Sequence, residues 1–467
     1  MSSQELTAGL KVRHLTMMGL GSAIGAGLFV GTGKAISTAG PAVLISYLLA
    51  GAMVIIVMML LAEMASAMPS SGAFSTYADH GVGRWAGFAI GWNYWFMLIM
   101  VLGVEILAAT EIIAGWIPTV PSWLIATVLI VIFALINLVG VKSFGEMEFW
   151  FAAIKIGAII AFLVVGALLV TGVIPAPEGV GLAKLFTGEG GFAPRGMAGI
   201  AAGLLAVMFA FGGIEIITIA AAESTNPSDS IRRATTSIMW RILVFYVGSV
   251  LVMLMVLPWN DPALVEGSFV AVLNVANIPG AAILMEVVIV VALLSAFNAQ
   301  IYGTSRMAYS LSQRGDGAKA LLKVSKNHVP YVAVLVSVFF ALVAVGANAL
   351  DFTGSVMGTL LDAVGATLLI IWVFIAIAQI RMRRQLEEGG QLRLRTPWHP
   401  VLGFIAIGAI GAFSILMLFD PDGRRNLLLT LFIFAVIVGI FFLREAVHAK
   451  NRSRPSATPR STSDHSA

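Results

Sequence analysis

Cysteine is absent from this chain, and charge is scarce: only 11% of its 467 residues are Asp, Glu, Lys or Arg. The first absence excludes disulfides, iron–sulfur clusters and thiolate metal sites. The second argues against a soluble protein, in which about 25% of residues are charged. The six histidines (His14, His80, His328, His399, His448 and His465) all fall outside the apolar spans predicted below, so neither haem nor an intramembrane His-ligated metal is expected. The net charge of +4 is mild and its basic residues lie in loops and tail, which gives nucleic-acid binding no support. No catalytic triad, metal-ligand cluster or Walker phosphate loop is found, so neither an enzyme nor a cofactor is expected.

Apolar residues fill the space these absences leave. They make up 59% of the chain, and the mean hydropathy is +0.95. Runs of the ~20 residues that span a bilayer as a helix occur near 15–36, 41–67, 85–115, 122–141, 147–172 and 197–222. Six more lie near 235–258, 279–305, 331–350, 355–380, 400–419 and 427–446. Barrel strands would need only ~10 alternating residues, so the pattern predicts an all-α membrane protein with twelve transmembrane helices. The polar start, residues 1–14, lacks the small-residue cleavage site of a signal peptide, and the first span is expected to stay. The tail, 447–467, is rich in Ser, Pro and Arg and reads as disordered.

Charge asymmetry predicts orientation. The loops on the side of both termini, with the adjoining span ends, hold 22 Lys and Arg, whereas the opposite loops hold only Lys34, Lys184, Arg195, Arg424 and Arg425. By the positive-inside rule both termini are cytoplasmic.

The first span is interrupted in an informative way. Between Gly19 and Gly33 it carries six glycines, each weakening a helix by ~1 kcal/mol relative to alanine. Unwound backbone at membrane depth is tolerated only where protein or a water-filled cavity satisfies it. Such backbone is a ready site for a small zwitterion. Gly21 and Gly25 also form a small-xxx-small helix-packing motif, the alternative for this segment taken alone. A Rossmann loop would need a preceding strand, which a short polar terminus does not offer. A second interruption, Phe209-Ala210-Phe211-Gly212-Gly213-Ile214-Glu215, lies five spans later. Because five is odd, a second unit starting there runs inverted. Broken helices at matching positions of inverted repeats mark a secondary transporter with a midplane site. The expected architecture is spans 1–5 (15–172), spans 6–10 inverted on them (197–380), and two accessory helices (400–446).

Ionisable residues inside spans cost ~2.5–3.5 kcal/mol on insertion scales and are functional candidates. They are Glu105 and Glu111 in span 3, Lys155 in span 5 and Glu215 in span 6. Glu63 and Glu223 lie near cytoplasmic span ends, where solvated and buried roles are equally open, and Glu111 is expected to be wetted. Lys155 has Phe151, Ala152, Ala158 and Ile159 at helical spacing and so no local carboxylate. A lysine that gains and loses a proton each cycle couples a proton gradient to transport; the alternative is that it snorkels to the interface. Glu215 is placed to bond amides freed at the second break, or to titrate with Lys155. Phe209 and Phe211 either pack or gate. Trp92, Asn93, Tyr94 and Trp95 are interfacial or touch substrate. Ser295, Asn298 and Gln300 glue helices or line the pathway.

Several stretches resemble a known family. Gly21-Ser22-Ala23-Ile24-Gly25-Ala26-Gly27-Leu28-Phe29-Val30-Gly31 is similar to the first-helix signature of the amino acid–polyamine–organocation superfamily. Ala39-Gly40-Pro41, Leu61-Ala62-Glu63-Met64, Gly72 to Ala78 and Gly91-Trp92-Asn93-Tyr94-Trp95 follow in order, as in the bacterial amino acid permease branch. Glu215 to Ser224 and Ser305 to Ser312 most resemble 4-aminobutyrate (GABA) permeases, while the Gly212-Gly213 pair is shared with aromatic and proline carriers. The resemblance implies a leucine-transporter-type fold and proton-coupled import across the bacterial cytoplasmic membrane. It also implies a substrate site of Ser22, Ala23, Gly25, Ala26, Gly27, Glu105, Phe209, Ala210 and Gly212. There the substrate carboxylate meets the Ala26 and Gly27 amides, and its amine meets carbonyls at Ala23, Phe209 and Gly212. Phe209 is the implied gate. Lys155 falls where sodium sits in sodium-coupled relatives, and Glu105 faces the far end of the substrate. An obligate exchanger or facilitator, and a transport-dead sensor, are the competing readings; oligomeric state is left open.

Overall fold

A computed structural model describes residues 24–139, 141–222, 226–350, 356–419 and 421–452, with Met17, Gly21 and Ser224. The described residues are helical throughout, with no β-strand among them. Eight stretches are long and apolar enough to cross a membrane, and Gly196–Ala210, Leu243–Val256, Pro262–Ala276 and Val401–Met417 are shorter apolar helices.

The chain runs through α1 (Ala26–Phe29), α2 (Gly31–Ala39), α3 (Val43–Ala67), α4 (Ala73–Gly81), α5 (Arg84–Trp116), α6 (Ser122–Val139) and α7 (Val141–Val170). It continues through α8 (Lys184–Thr187), α9 (Gly196–Ala210), α10 (Ile216–Ala221), α11 (Pro227–Val256), α12 (Pro262–Ala276) and α13 (Ala281–Gln313). The last four are α14 (Tyr331–Ala349), α15 (Val356–Glu388), α16 (Val401–Met417) and α17 (Pro421–Arg452). Local chemistry sets several starts: Pro227 and Pro262 open α11 and α12 at the position where a missing N–H costs nothing. Asp261 caps α12 by accepting from the Ala263 amide at 3.0 Å.

Three helices run well past the C-terminal ends of their predicted spans, and α7 and α11 begin ahead of theirs, at Val141 and Pro227. The helix α13 reaches Gln313 rather than stopping at 305, α15 reaches Glu388 rather than 380, and α17 reaches Arg452, into the segment read as disordered tail. Arg306, counted as a loop cation, is therefore inside α13 and only 1% exposed. Its guanidinium lies 4.0 Å from the centre of the Tyr302 ring and donates to Ser305 Oγ at 3.1 Å, which offsets its desolvation.

The interior is built on α5, which packs against α13 and α15, and on the pairs α2–α9 and α3–α11. Outward-facing Trp123, Leu135, Trp150, Phe339, Phe404 and Phe432 are exposed, as a lipid-facing surface requires. At one end Glu63, fully buried, is clasped from three sides. Gln379 Nε2 donates to it at 2.7 Å, Arg383 Nη1 at 2.6 Å and the Thr396 amide at 2.6 Å. Of the two roles open for Glu63, the buried one holds. At the same end Arg84 pairs with Asp316 at 2.8 Å, and Arg444 of α17 donates to the Gly315 carbonyl.

Candidate functional site

Both predicted interruptions are present, and they touch. Ile24 and Gly25 are non-helical before α1 begins at Ala26, and residues 211–215 form turns between α9 and α10. A Cβ on Gly27 would lie 2.5 Å from the Cα of Ala210, so only glycine lets the backbones meet there. At the second break Gly213 takes φ +97, a left-handed conformation that favours glycine. Tyr246 of α11 donates to the Ala210 carbonyl at 2.7 Å, which satisfies one group that the break would otherwise orphan.

Around this contact lie four fully buried ionisable side chains: Glu105 on α5, Glu148 and Lys155 on α7, and Glu215. The carboxylate of Glu105 receives the Ala26 amide, with both oxygens 3.1 Å from the nitrogen. It thus sits on the amide expected to meet the substrate carboxylate. The reason is local: a carboxylate facing a helix start with a free N–H satisfies both groups at once. A Cβ on Gly25 would come within 2.5 Å of Glu105 Oε1, which makes this glycine the space for that carboxylate.

Lys155 Nζ donates to the Gly21 carbonyl at 2.5 Å. The absence of a local carboxylate does not hold. Glu148 and Glu105 both act electrostatically on Lys155, and Glu148 lies two turns before it on the same helix. Lysine side chains lean toward the helix N-terminus, so the ammonium approaches a residue beyond the i−4 reach considered above. Lys155 is 0% exposed, which excludes snorkelling. Glu148 is the residue that sequence reasoning missed; a search at i−7, the same helical face, finds it. Its Oε2 accepts from Ser295 Oγ at 2.8 Å and its Oε1 from Asn298 Nδ2 at 2.7 Å. Ser295 and Asn298 therefore glue helices. Gln300 is buried nearby on α13.

Glu215 Oε2 accepts from the Gly213 amide at 3.1 Å, as an acid at a helix break can. Its other oxygen is buried, and the Tyr94 hydroxyl, also buried, is the neighbouring polar group. Phe209 is buried and packs beside Gly31. Phe211 stacks on Tyr246, with ring centres 5.0 Å apart. Trp92 Nε1 donates to the Asp316 carbonyl at 3.1 Å, and Trp95 packs edge-on against it, so both belong to the end of the bundle rather than the break. Ser22, Ala23 and Glu223 lie outside the described residues. Glu111 is exposed, as expected. It lines a cavity of about 700 Å³ that reaches down to Phe29 and Val30, walled also by Ile112, Trp116, Glu266 and Glu286.

Two helices broken where they touch, ringed by buried charge within a lipid-facing helical bundle, are the architecture of a membrane permease. The chain belongs to the amino acid permease family, whose model matches residues 14–455. It is 47% identical over 463 residues to the aromatic amino acid transport protein AroP of Corynebacterium glutamicum, covering 98% of each chain. It is 44% identical over 428 residues to the gamma-aminobutyric acid permease of Escherichia coli, covering 91% of each. To the gamma-aminobutyric acid permease of Bacillus subtilis it is 41% identical over 453 residues, covering 97% of this chain and 95% of that one. The protein is a multi-pass amino acid permease, not an enzyme.

Proposed function

We propose that the protein imports an amino acid together with protons across the bacterial cytoplasmic membrane. The observation that carries this reading is the contact of the two broken helices at Gly27 and Ala210, with Lys155 on one side bound to the Gly21 carbonyl. Unwound backbone supplies donors and acceptors for a zwitterion, and a buried, exchangeable ammonium at the same break links its occupancy to a proton. The substrate carboxylate reaches the Ala26 and Gly27 amides by displacing Glu105. Carbonyls at Ala23, Phe209 and Gly212 receive the amine, and Phe209 closes over it. Glu215, held at the second break by the Gly213 amide, is the second group proposed to carry a proton, alongside Lys155.

The proposed topology is twelve crossings, arranged as five plus five inverted and two accessory, with both termini cytoplasmic. It is supported by helices at each predicted span, by the spacing of the breaks, and by the 22 basic residues on one side. Among substrates we place 4-aminobutyrate first, because the resembling stretches at Glu215 and Ser305 lead there and relatives of that name share 41% and 44% identity. The 47% identity to an aromatic amino acid carrier supports a second reading, import of aromatic amino acids.

The test is uptake of radiolabelled 4-aminobutyrate by cells expressing the protein, challenged with a panel of amino acids. Competition by short ω-amino acids supports the first substrate; competition by phenylalanine alone selects the second. Counterflow in proteoliposomes, with and without a pH gradient, separates import coupled to protons from exchange. Accumulation that ignores the gradient overturns the coupling.

A further inference from the structure

The buried carboxylate that the transport reading leaves unused is Glu148. It is 0% exposed, and both of its oxygens are held by side chains of another helix, Ser295 and Asn298. The grip extends further. Asn298 Oδ1 accepts from Asn137 Nδ2 at 2.7 Å, and Asn137 also donates to the Phe133 carbonyl at 2.9 Å. Glu148 is thus fixed from α13 and, through Asn298, from α6. Nothing in that arrangement neutralises its charge, because Ser295, Asn298 and Asn137 are all neutral.

The charge acts on Lys155 through space. Gly21 marks the meeting point: its carbonyl takes the Lys155 ammonium at 2.5 Å, and a Cβ built on it would lie 3.7 Å from Glu148 Oε2. Among the described residues, the charged groups that act on the ammonium are Glu148 of its own helix and Glu105 of α5; Glu105 acts in turn on Tyr246 of α11. From α12 the contact with α7 is aromatic, Phe269 against Phe162 with ring centres 4.5 Å apart. Glu105 is committed to the Ala26 amide and lies where substrate has to go. Glu148 instead spends its hydrogen bonds on Ser295 and Asn298, neither of which belongs to the two broken helices.

We propose that Glu148 is a positioning residue of the proton-coupling site: clamped by Ser295 and Asn298, it supplies the fixed negative charge against which Lys155 takes up and loses its proton. The inference rests on the reading of Lys155 as the coupling group. In a low-dielectric interior a nearby unit charge is weakly screened and shifts the proton equilibrium of an ammonium. A carboxylate that cannot rotate away keeps that influence constant through the cycle, while Glu105 changes partners.

The test compares Glu148→Gln, Glu148→Asp and Lys155→Gln in proteoliposomes, with radiolabelled 4-aminobutyrate and phenylalanine run in parallel. Glu148→Gln keeps the shape and removes the charge. Its expected signature is a loss of pH-gradient-driven accumulation of at least about tenfold, with half-maximal uptake moved about one pH unit to the acid side. Counterflow, which needs no net proton movement, is expected to fall by no more than about threefold, and Glu148→Asp to restore part of the accumulation. The proposal is overturned if Glu148→Gln accumulates substrate with an unmoved pH profile. It is equally overturned if Glu148→Gln loses counterflow and accumulation together and Glu148→Asp restores neither, since Glu148 would then only hold helices together. Lys155→Gln tells the two failures apart: if it still accumulates substrate, the coupling reading itself falls. If only Glu148→Gln behaves like the parent protein, the Glu148 assignment falls alone.

Discussion

The Nζ of Lys155 lies 2.5 Å from the carbonyl oxygen of Gly21, a residue 134 positions earlier in the chain. One side chain of α7 therefore holds the helical residue that precedes the break, and the charge on that side chain is tied to the conformation there.

Lys155→Gln is expected to abolish uphill uptake and leave at most equilibration across the membrane. The measurement is the ratio of internal to external label in energised vesicles, with and without an uncoupler. A variant present in the membrane at the parent level that still concentrates substrate contradicts the role given to Lys155.

Gly27→Ala is expected to impair both assembly and transport, because its methyl group would sit 2.5 Å from the Ala210 Cα, a backbone atom that cannot turn aside. Overpacking of this kind costs about 1–3 kcal/mol. Gly157→Ala on α7 is the control, since nothing lies within 4 Å of a Cβ there. Thermal denaturation in detergent, followed alongside uptake, should separate the pair.

Glu63→Gln is expected to destabilise the bundle by about 3 kcal/mol, the usual penalty for leaving one partner of a buried ion pair behind. Arg383 would lose a 2.6 Å contact while only 11% of its side chain is exposed. The loss is read as a lower detergent melting temperature, and the segment around Thr396 should become more open to proteolysis. An unchanged melt would mean that the clasp contributes little.

Acidification should loosen the same region through His399. Burial first, and then the Arg383 guanidinium, hold the His399 imidazole below the usual 6.5, with Glu63 and Glu387 pulling the other way. Between the depressed value and 6.5 the unfolded chain binds more protons than the folded one, so stability rises with pH through that window and levels off above it. Melting curves from pH 5 to 7.5 should show this slope, and His399→Gln should flatten it. A slope that persists in the variant assigns it to another group.

Much of the site was legible because glycine announces itself. Six glycines in one apolar span, and a pair in the span five later, mark positions where a helix stops, and both stops are present. The partners were not legible, because they come from far along the chain. Glu105 meets an amide 79 residues away, and Glu63 meets groups 316 to 333 residues away. Helical spacing reports only the first neighbours on one helix, which is why Lys155 looked unaccompanied and Glu148, at the edge of its predicted span, was passed over. Arg306 was misread for a related reason. Hydropathy ends a span at the first strong cation, yet an aromatic ring beneath the cation lets the helix carry it inward.

The cavity that descends to Phe29 and Val30 has Glu111, Glu266 and Glu286 as its charged walls and no lysine or arginine among its lining residues. Its field attracts cations and repels anions, and low-dielectric walls focus that field. A zwitterion carries no net charge to be drawn in, but it is a dipole, and such a field turns it. A zwitterion at the cavity mouth would therefore be turned with its ammonium toward the three carboxylates, before any backbone group touches it.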